Sequence, residues 1–245
     1  MKPASPRFGE MIAINVGNTR TSFARFIDGR ISGKIQSVPT KELKEKDIPE
    51  SSQLASACVV PKVRELLSNR RILWVHAGIV TGVDFHKADT STLGADRIAN
   101  VVSAANFADL PAVVVDFGTA VTMDFVNKEK VFMGGSIIPG RKLMRHALND
   151  YTGQIPLVSL DAEQKVPGLN TTEAVSGGID IGIIGAVREI IDRVKKKHGL
   201  LSLSIITTGG DSRFFLANMP EMTAGCEDFT LRGIAAIWRL NCNEN

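Results

Sequence analysis

Two stretches of this sequence end an apolar run on a polar residue and follow it with a glycine and hydroxyl side chains. In the first, Met11-Ile12-Ala13-Ile14 leads to Asn15, Gly17 and Thr19; in the second, Val113-Val114-Val115 leads to Asp116, Gly118, Thr119 and Thr122. An unbroken apolar run reads as a buried strand. A glycine just beyond it lets backbone N–H groups close on an anion with no Cβ in the way. A carboxylate beside hydroxyl groups suits a nucleotide phosphate and its cation. Either loop alone reads equally as an ordinary strand–turn–strand with a solvated polar residue. Their recurrence roughly a hundred residues apart argues for an internal duplication, with two facing hairpins able to grip one polyphosphate between two lobes.

A third stretch, Gly94-Ala95-Asp96-Arg97, opens a segment with apolar residues at Ile98, Val101, Val102 and Ala105, the spacing of a helix. An acid in a first turn is favoured by the helix dipole, and that alone would account for Asp96. Arg97 adds a guanidinium fork suited to a carboxylate.

The elements that must position these groups alternate between strands and helices, which gives an α/β class. Strands are expected at Met11 onward, Thr21 to Asp28, Ile31 to Val38, Leu54 to Val60, Ile72 to Ile79, Val121 to Asn127 and Leu203 to Thr207. Residues Thr40 to Glu50 fit a short helix or a loop. Pro61 is well placed to start a helix to Asn69. Thr81 to Leu93 carries no clear signal. Gly134-Gly135 and Pro139-Gly140 read by default as turns, with close approach to a ligand as the alternative. A helix over Arg141 to Tyr151 precedes a loop from Gln154 to Leu169. Asn170-Thr171-Thr172-Glu173 resembles a capped start of a long helix ending at His198-Gly199. Thr208-Gly209-Gly210-Asp211 is either a plain turn or a place for an adenine to lie against backbone. Phe229 to Leu240 closes the chain as an amphipathic helix.

Composition narrows the function. In 245 residues, 44% hydrophobic and 22% charged allow a sizeable core in one large or two modest domains. A net charge of +3 without a basic stripe interleaved with aromatics argues against nucleic acid. The basic run Arg193 to Lys197 reads as the solvated end of a helix. Cys58, Cys226 and Cys242 lie far apart, so neither a disulfide framework nor a C-x-x-C metal site is indicated, and a reducing cytoplasm is expected. No apolar run is long enough for a bilayer. The beginning of the chain lacks the apolar core of a signal peptide, and residues 1–9 are expected to be a leader that frays. No G-x-G-x-x-G opens a helix, which argues against a nicotinamide dinucleotide.

Taken together and in order, Asn15 to Thr19, Gly94 to Arg97, Asp116 to Thr122, Gly134 to Gly140, Asn170 to Glu173 and Gly209 to Asp211 resemble the type III pantothenate kinase family. The likeness runs from Met11 to Leu240. It implies two ribonuclease-H-like lobes of the actin, Hsc70 and sugar kinase superfamily, placed at 10–105 and 106–245. It implies ATP-dependent phosphorylation of pantothenate to 4'-phosphopantothenate, the first step of coenzyme A biosynthesis, by a cytoplasmic homodimer using Mg2+ and a monovalent cation, K+ or NH4+.

By that likeness Asp96 is the catalytic acid–base residue, and Gly94, Ala95, Asp96, Arg97 and Thr172 contact pantothenate. Asn15, Val16, Gly17, Asn18, Thr19, Arg20, Thr21 and Ser22 form the first phosphate loop; Thr119, Gly209 and Gly210 also contact ATP. Asp116 matches the position linked to the monovalent cation. One position departs from the pattern: the family carries Asp where this chain has Asn15. Weaker metal–ATP binding is the expected consequence. Two other readings follow from it and from the fold: a weak or inactive member with a regulatory or interaction role, or a kinase of another small molecule.

Overall fold

The apolar run at the start of the described chain becomes β1 (Glu10–Val16), buried along nearly its whole length, as expected of a strand covered on both faces. The computed structural model describes residues 9–51 and 53–242; the expected leader at 1–9 lies, but for Gly9, outside them. β2 (Arg20–Ile27) returns antiparallel to β1 with Asn15 opposite Ser22 and Val16 opposite Thr21. β3 (Arg30–Pro39) runs antiparallel along β2; its exposed, polar pattern suits an edge strand. β4 (Leu54–Cys58), α1 (Pro61–Leu66) and β5 (Ile72–Trp74) follow, β4 parallel to β1 and β5 parallel to β4. The sheet order is β3-β2-β1-β4-β5. Ile12, Ile14, Val16, Phe23, Leu54, Val63 and Leu67 form a core on this sheet.

After α2 (Ala95–Phe107) the plan repeats. β6 (Ala112–Phe117), β7 (Ala120–Val126) and β8 (Phe132–Pro139) are followed by α3 (Arg141–Tyr151), α4 (Thr171–His198), β9 (Ser204–Thr208), α5 (Ser212–Asn218), β10 (Thr223–Ala224) and α6 (Phe229–Cys242). The second sheet is ordered β10-β9-β6-β7-β8. Position for position it matches the first, with β6 in the place of β1 and β9 in the place of β4. A duplicated α/β fold is therefore what the chain adopts.

The described residues form two compact units: one of those up to Ala112, Phe125–Gly134 and those from Gly225 to Cys242, the other of Val113–Asp124 and Gly135–Ala224. The C-terminal helix α6 packs on α2 and β1 in the first unit, with Thr230 Oγ1 donating to Asn100 Oδ1 at 2.7 Å.

Two expectations need correction. Gly134-Gly135 lies inside β8 and is not a turn, because the sheet supplies ladder partners that a local glycine signal cannot foresee. β5 stops at Trp74, well short of Ile79. Thr81 to Leu93, which carries no clear signal in sequence, holds no regular element, only a bridge from Asp84 to Val131. The Asn170 cap is as expected: its Oδ1 accepts the Glu173 N–H at 3.0 Å. No helix among the described residues is long and apolar enough to cross a membrane.

Candidate active site

The first loop closes through Gly17 N–H, which donates to Arg20 O at 3.0 Å. Thr40, just past β3, holds it from outside: its N–H donates to Thr19 O at 3.0 Å and its hydroxyl to Gly17 O at 2.7 Å. Thr21 is fully buried, its hydroxyl 3.1 Å from that of Thr40. The side chains of Val16 and Thr21 therefore hold the loop in place, while Asn18, Thr19 and Arg20 are exposed at its tip. Arg20 Nε and Ser22 Oγ both donate to Ser37 Oγ, at 2.9 and 3.1 Å. Asn15 is different: its Oδ1 is buried and has no hydrogen-bond partner. A buried acceptor left without a partner is costly.

The same unit carries Gly94 to Arg97. Val59 links the two stretches, donating its N–H to Val16 O at 3.1 Å and packing beside Gly94. Gly94 caps α2, and Ala95, Asp96 and Arg97 form its first turn. Asp96 Oδ1 accepts the Arg97 N–H at 2.8 Å. Burial pushes the Asp96 carboxyl above its ordinary range, although the Arg97 amide and charge pull the other way.

The second loop belongs to the other unit. Gly118 N–H donates to Ala120 O at 3.1 Å, and Gly140 N–H, just past β8, donates to Thr119 O at 3.0 Å. Gly209 has φ +94° and lies against Asp116 Oδ1 and Phe117 O, where no Cβ has room. Asp211 N–H donates to Phe117 O at 3.0 Å, and Phe117 stacks on Phe215 of α5 at 3.8 Å between ring centres. Asp116, Thr119, Gly209 and Gly210 are thereby brought together. Thr172 is exposed in the first turn of α4. Its neighbours Asn170 and Thr171 line an open, mainly apolar hollow of about 510 Å³ together with Leu148, Ile155 and Ile179.

Sequence reasoning missed Thr40, the buried pair Arg141 and Arg145, and Asp180. The signals were faint: a threonine after a strand-ending proline, two arginines four apart, and one acid between Ile179 and Ile181. Among the described residues no group of three or more His, Cys, Asp or Glu could hold a metal. A divalent ion held mainly by substrate phosphates needs only one or two protein oxygens, and Asn15 Oδ1, an oxygen without a hydrogen-bond partner, has the chemistry of one.

Comparison with known proteins bears on family and fold. The family model for type III pantothenate kinase matches residues 11–193. The type III pantothenate kinase of Akkermansia muciniphila is 32% identical over 241 residues, covering 94% of this chain and 98% of the relative. Among solved structures, a Campylobacter jejuni protein described as a Baf family transcriptional activator superposes with a TM-score of 0.65 at 21% identity, covering 94% of this chain and 98% of that one. The activator of 2-hydroxyisocaproyl-CoA dehydratase from Clostridium difficile, with bound ADPNP, gives a TM-score of 0.51 at 10% identity, covering 95% of this chain and 94% of the other. At such identities the structures speak for the fold alone, a duplicated α/β fold shared with these proteins. The sequence relationship speaks for descent, and by it this chain belongs to the type III pantothenate kinase family.

Proposed function

We propose that this chain transfers the γ-phosphoryl group of ATP to the primary hydroxyl of pantothenate, giving 4'-phosphopantothenate and ADP. Family membership supports the substrates, and one observation carries the chemistry. Asp96 is a partly buried carboxylate at a helix start, oriented by the Arg97 N–H and with its affinity for a proton raised by burial. That is the state a general base needs, because a carboxylate tuned upward accepts a proton more readily.

In this reading Asp96 takes the hydroxyl proton as the new O–P bond forms and the bond from the γ-phosphorus to the β–γ bridging oxygen breaks. Arg97 binds the pantothenate carboxylate, and Thr172 adds a further contact. The backbone from Asn15 to Ser22 and the loop at Thr119 bind phosphate oxygens; Gly209 and Gly210 receive the adenosine. Asn15 serves as the protein donor toward Mg2+, and Asp116 as donor toward K+ or NH4+. Bound there, these cations would offset the charge that develops on the phosphoryl oxygens.

The homodimer belongs to the same reading, supported by exposed apolar residues such as Ile137, Leu143, Leu169 and Ile181 on one unit. So does a reducing cytoplasm, supported by three free cysteines. A weakly active member is the second reading, favoured by the uncharged Asn15 at the metal-side position.

A coupled assay for ADP release, with and without pantothenate and with Na+ replacing K+, tests the function. Pantothenate-dependent release that falls in Na+ is expected; release indifferent to pantothenate refutes the substrate. Asp96→Asn should lower kcat by about 10²–10⁴-fold while leaving ATP affinity near wild type. Equal turnover would eliminate Asp96 as the base.

A further inference from the structure

Three charged side chains buried beside the second loop have no part in the chemistry above. Arg141, Arg145 and Asp180 are 4%, 1% and 0% exposed. Arg141 grips Asp180 with both arms of its fork, Nε to Oδ1 and Nη2 to Oδ2, each at 2.8 Å. Arg145 does the same through Nη1 and Nη2 at 2.9 and 3.0 Å. Gln164 Nε2 adds a fifth hydrogen bond to Oδ2 at 2.8 Å. Two guanidinium groups thus share one carboxylate, and Arg145 Nε is left without a partner. Buried charge of this kind contributes little net stability, since apolar side chains of similar volume often do as well or better. Stability alone is therefore a poor reason for it.

Its connections give a better one. Arg141 follows Gly140, the residue docked on the second loop. A Cβ on Gly140 would strike Gly118 O and Thr119 O, so any shift at the start of α3 moves the loop itself. The Arg141 guanidinium also lies over the Phe214 ring, 3.7 Å from its centre. Phe214 is in α5, directly after the Gly209-Gly210 turn. Arg141 Nη2 also donates to Leu160 O at 2.9 Å. Asp180 is on α4, a separate element. One carboxylate thereby fixes, through Arg141, both the loop at Thr119 and the helix behind Gly209-Gly210.

We propose that Asp180 is a positioning residue for the nucleotide: acting through Arg141, it holds the Gly118-Thr119 loop and the Gly209-Gly210 turn in the mutual register that ATP requires. This rests on the reading of those two stretches as ATP contacts. Asp180 touches no substrate atom in this role. Its effect falls on nucleotide affinity and not on the acceptor side, where Asp96 and Arg97 lie on the other unit.

Two variants of the full chain test it. Asp180→Asn keeps shape and removes charge. The triple variant Arg141→Met, Arg145→Met, Asp180→Leu replaces the cluster by apolar volume and should melt near the wild-type temperature. In both, the Kd for the non-hydrolysable analogue AMPPNP and the KM for ATP should rise about tenfold, with the KM for pantothenate changing less than about twofold. A folded triple variant that binds AMPPNP like the wild type overturns the proposal. So does an equal rise in both Michaelis constants, the mark of general loosening. Failure of the proposed function is a separate result: a wild-type chain that binds AMPPNP but does not phosphorylate pantothenate loses the substrate and keeps the positioning role. A wild-type chain that does not bind AMPPNP ends both.

Discussion

Pro39-Thr40 and Pro139-Gly140 occupy the same place in the two sheets, and in each the residue after the proline donates its N–H to a threonine carbonyl at the loop tip. The acceptors are Thr19 O and Thr119 O, both at 3.0 Å. Beyond that shared bond the two braces diverge. Thr40 adds a hydroxyl that bonds Gly17 O and meets the buried Thr21 hydroxyl. Gly140 adds nothing of its own and is instead followed by Arg141, tied to Asp180 thirty-nine positions on. One loop is braced by short neutral hydrogen bonds from the residue just past a neighbouring strand. The other depends on charge and on two distant helices. The acidic position is reversed as well: the hydroxyl-braced loop has Asn15, the ion-braced loop Asp116. Duplication has kept the backbone contact and let the means of securing it drift.

Exchanging the two residues breaks the comparison most severely. Gly140→Thr places a branched side chain where Gly118 O and Thr119 O already lie. We expect a loss of more than about 4 kcal/mol, the range of severe overpacking, read as a lowered urea midpoint with loss of AMPPNP binding. A variant as stable as the wild type would mean that the loop yields freely, and the tight docking described above would have no energetic content.

Thr40→Val is the milder counterpart. It keeps volume and removes the hydroxyl, leaving Gly17 O and the buried Thr21 hydroxyl short of a partner. A loss of about 1–3 kcal/mol in urea unfolding is expected. Less than a few tenths would show that water replaces the hydroxyl and that Thr40 braces through its backbone alone.

These braces also mark where the sequence ran out. The strand of Met11 to Val16 and the turn at Gly17 were legible because apolar continuity and a glycine are local signals. The start of α2 at Gly94 and the Asn170 cap were legible for the same reason. Thr40 was not, since nothing near it in sequence says that its hydroxyl meets residues some twenty positions earlier. The pairing of Arg141 with Asp180 was equally hidden; an acid amid isoleucines on a helix is visible, but its partner is chosen by packing. Gly134-Gly135 misled because glycine weakens a strand without forbidding it. Helix α5, seven residues long, was missed because so short a segment has little periodicity to show.

The difference in chemistry predicts a difference in pH response. Burial alone would raise the Asp180 carboxyl, but hydrogen bonds and charge from Arg141 and Arg145 outweigh it and hold it below the ordinary range. A carboxylate lowered in the folded state gives stability that is fully present above its unfolded value, about 3.9, and lost as pH falls toward its folded one. The wild type should therefore lose up to about 1.4 kcal/mol per pH unit below that value through this group. Asp180→Asn should show a flatter decline in the urea midpoint, while Thr40→Val should keep the wild-type slope. Parallel slopes for the wild type and Asp180→Asn would remove the charge from the second brace.

The smallest expected effect sharpens the contrast at its one reversed position. Asn15 Oδ1 is buried without a hydrogen-bond partner, so Asn15→Asp puts a negative charge on an oxygen that no described donor meets. Without metal this should lower stability by about 1 kcal/mol, limited because the acid can take up a proton instead. With magnesium and ATP the sign should reverse, because a carboxylate supplies the charge that a hard cation prefers. Two readings follow: a thermal melt that falls in EDTA and rises with Mg-ATP, and a half-saturating magnesium concentration a few-fold below wild type. A substitution that destabilises equally in both conditions, with an unchanged magnesium requirement, would mean that the strand end at Asn15 does not face the metal, and that the orphaned oxygen answers to some other partner.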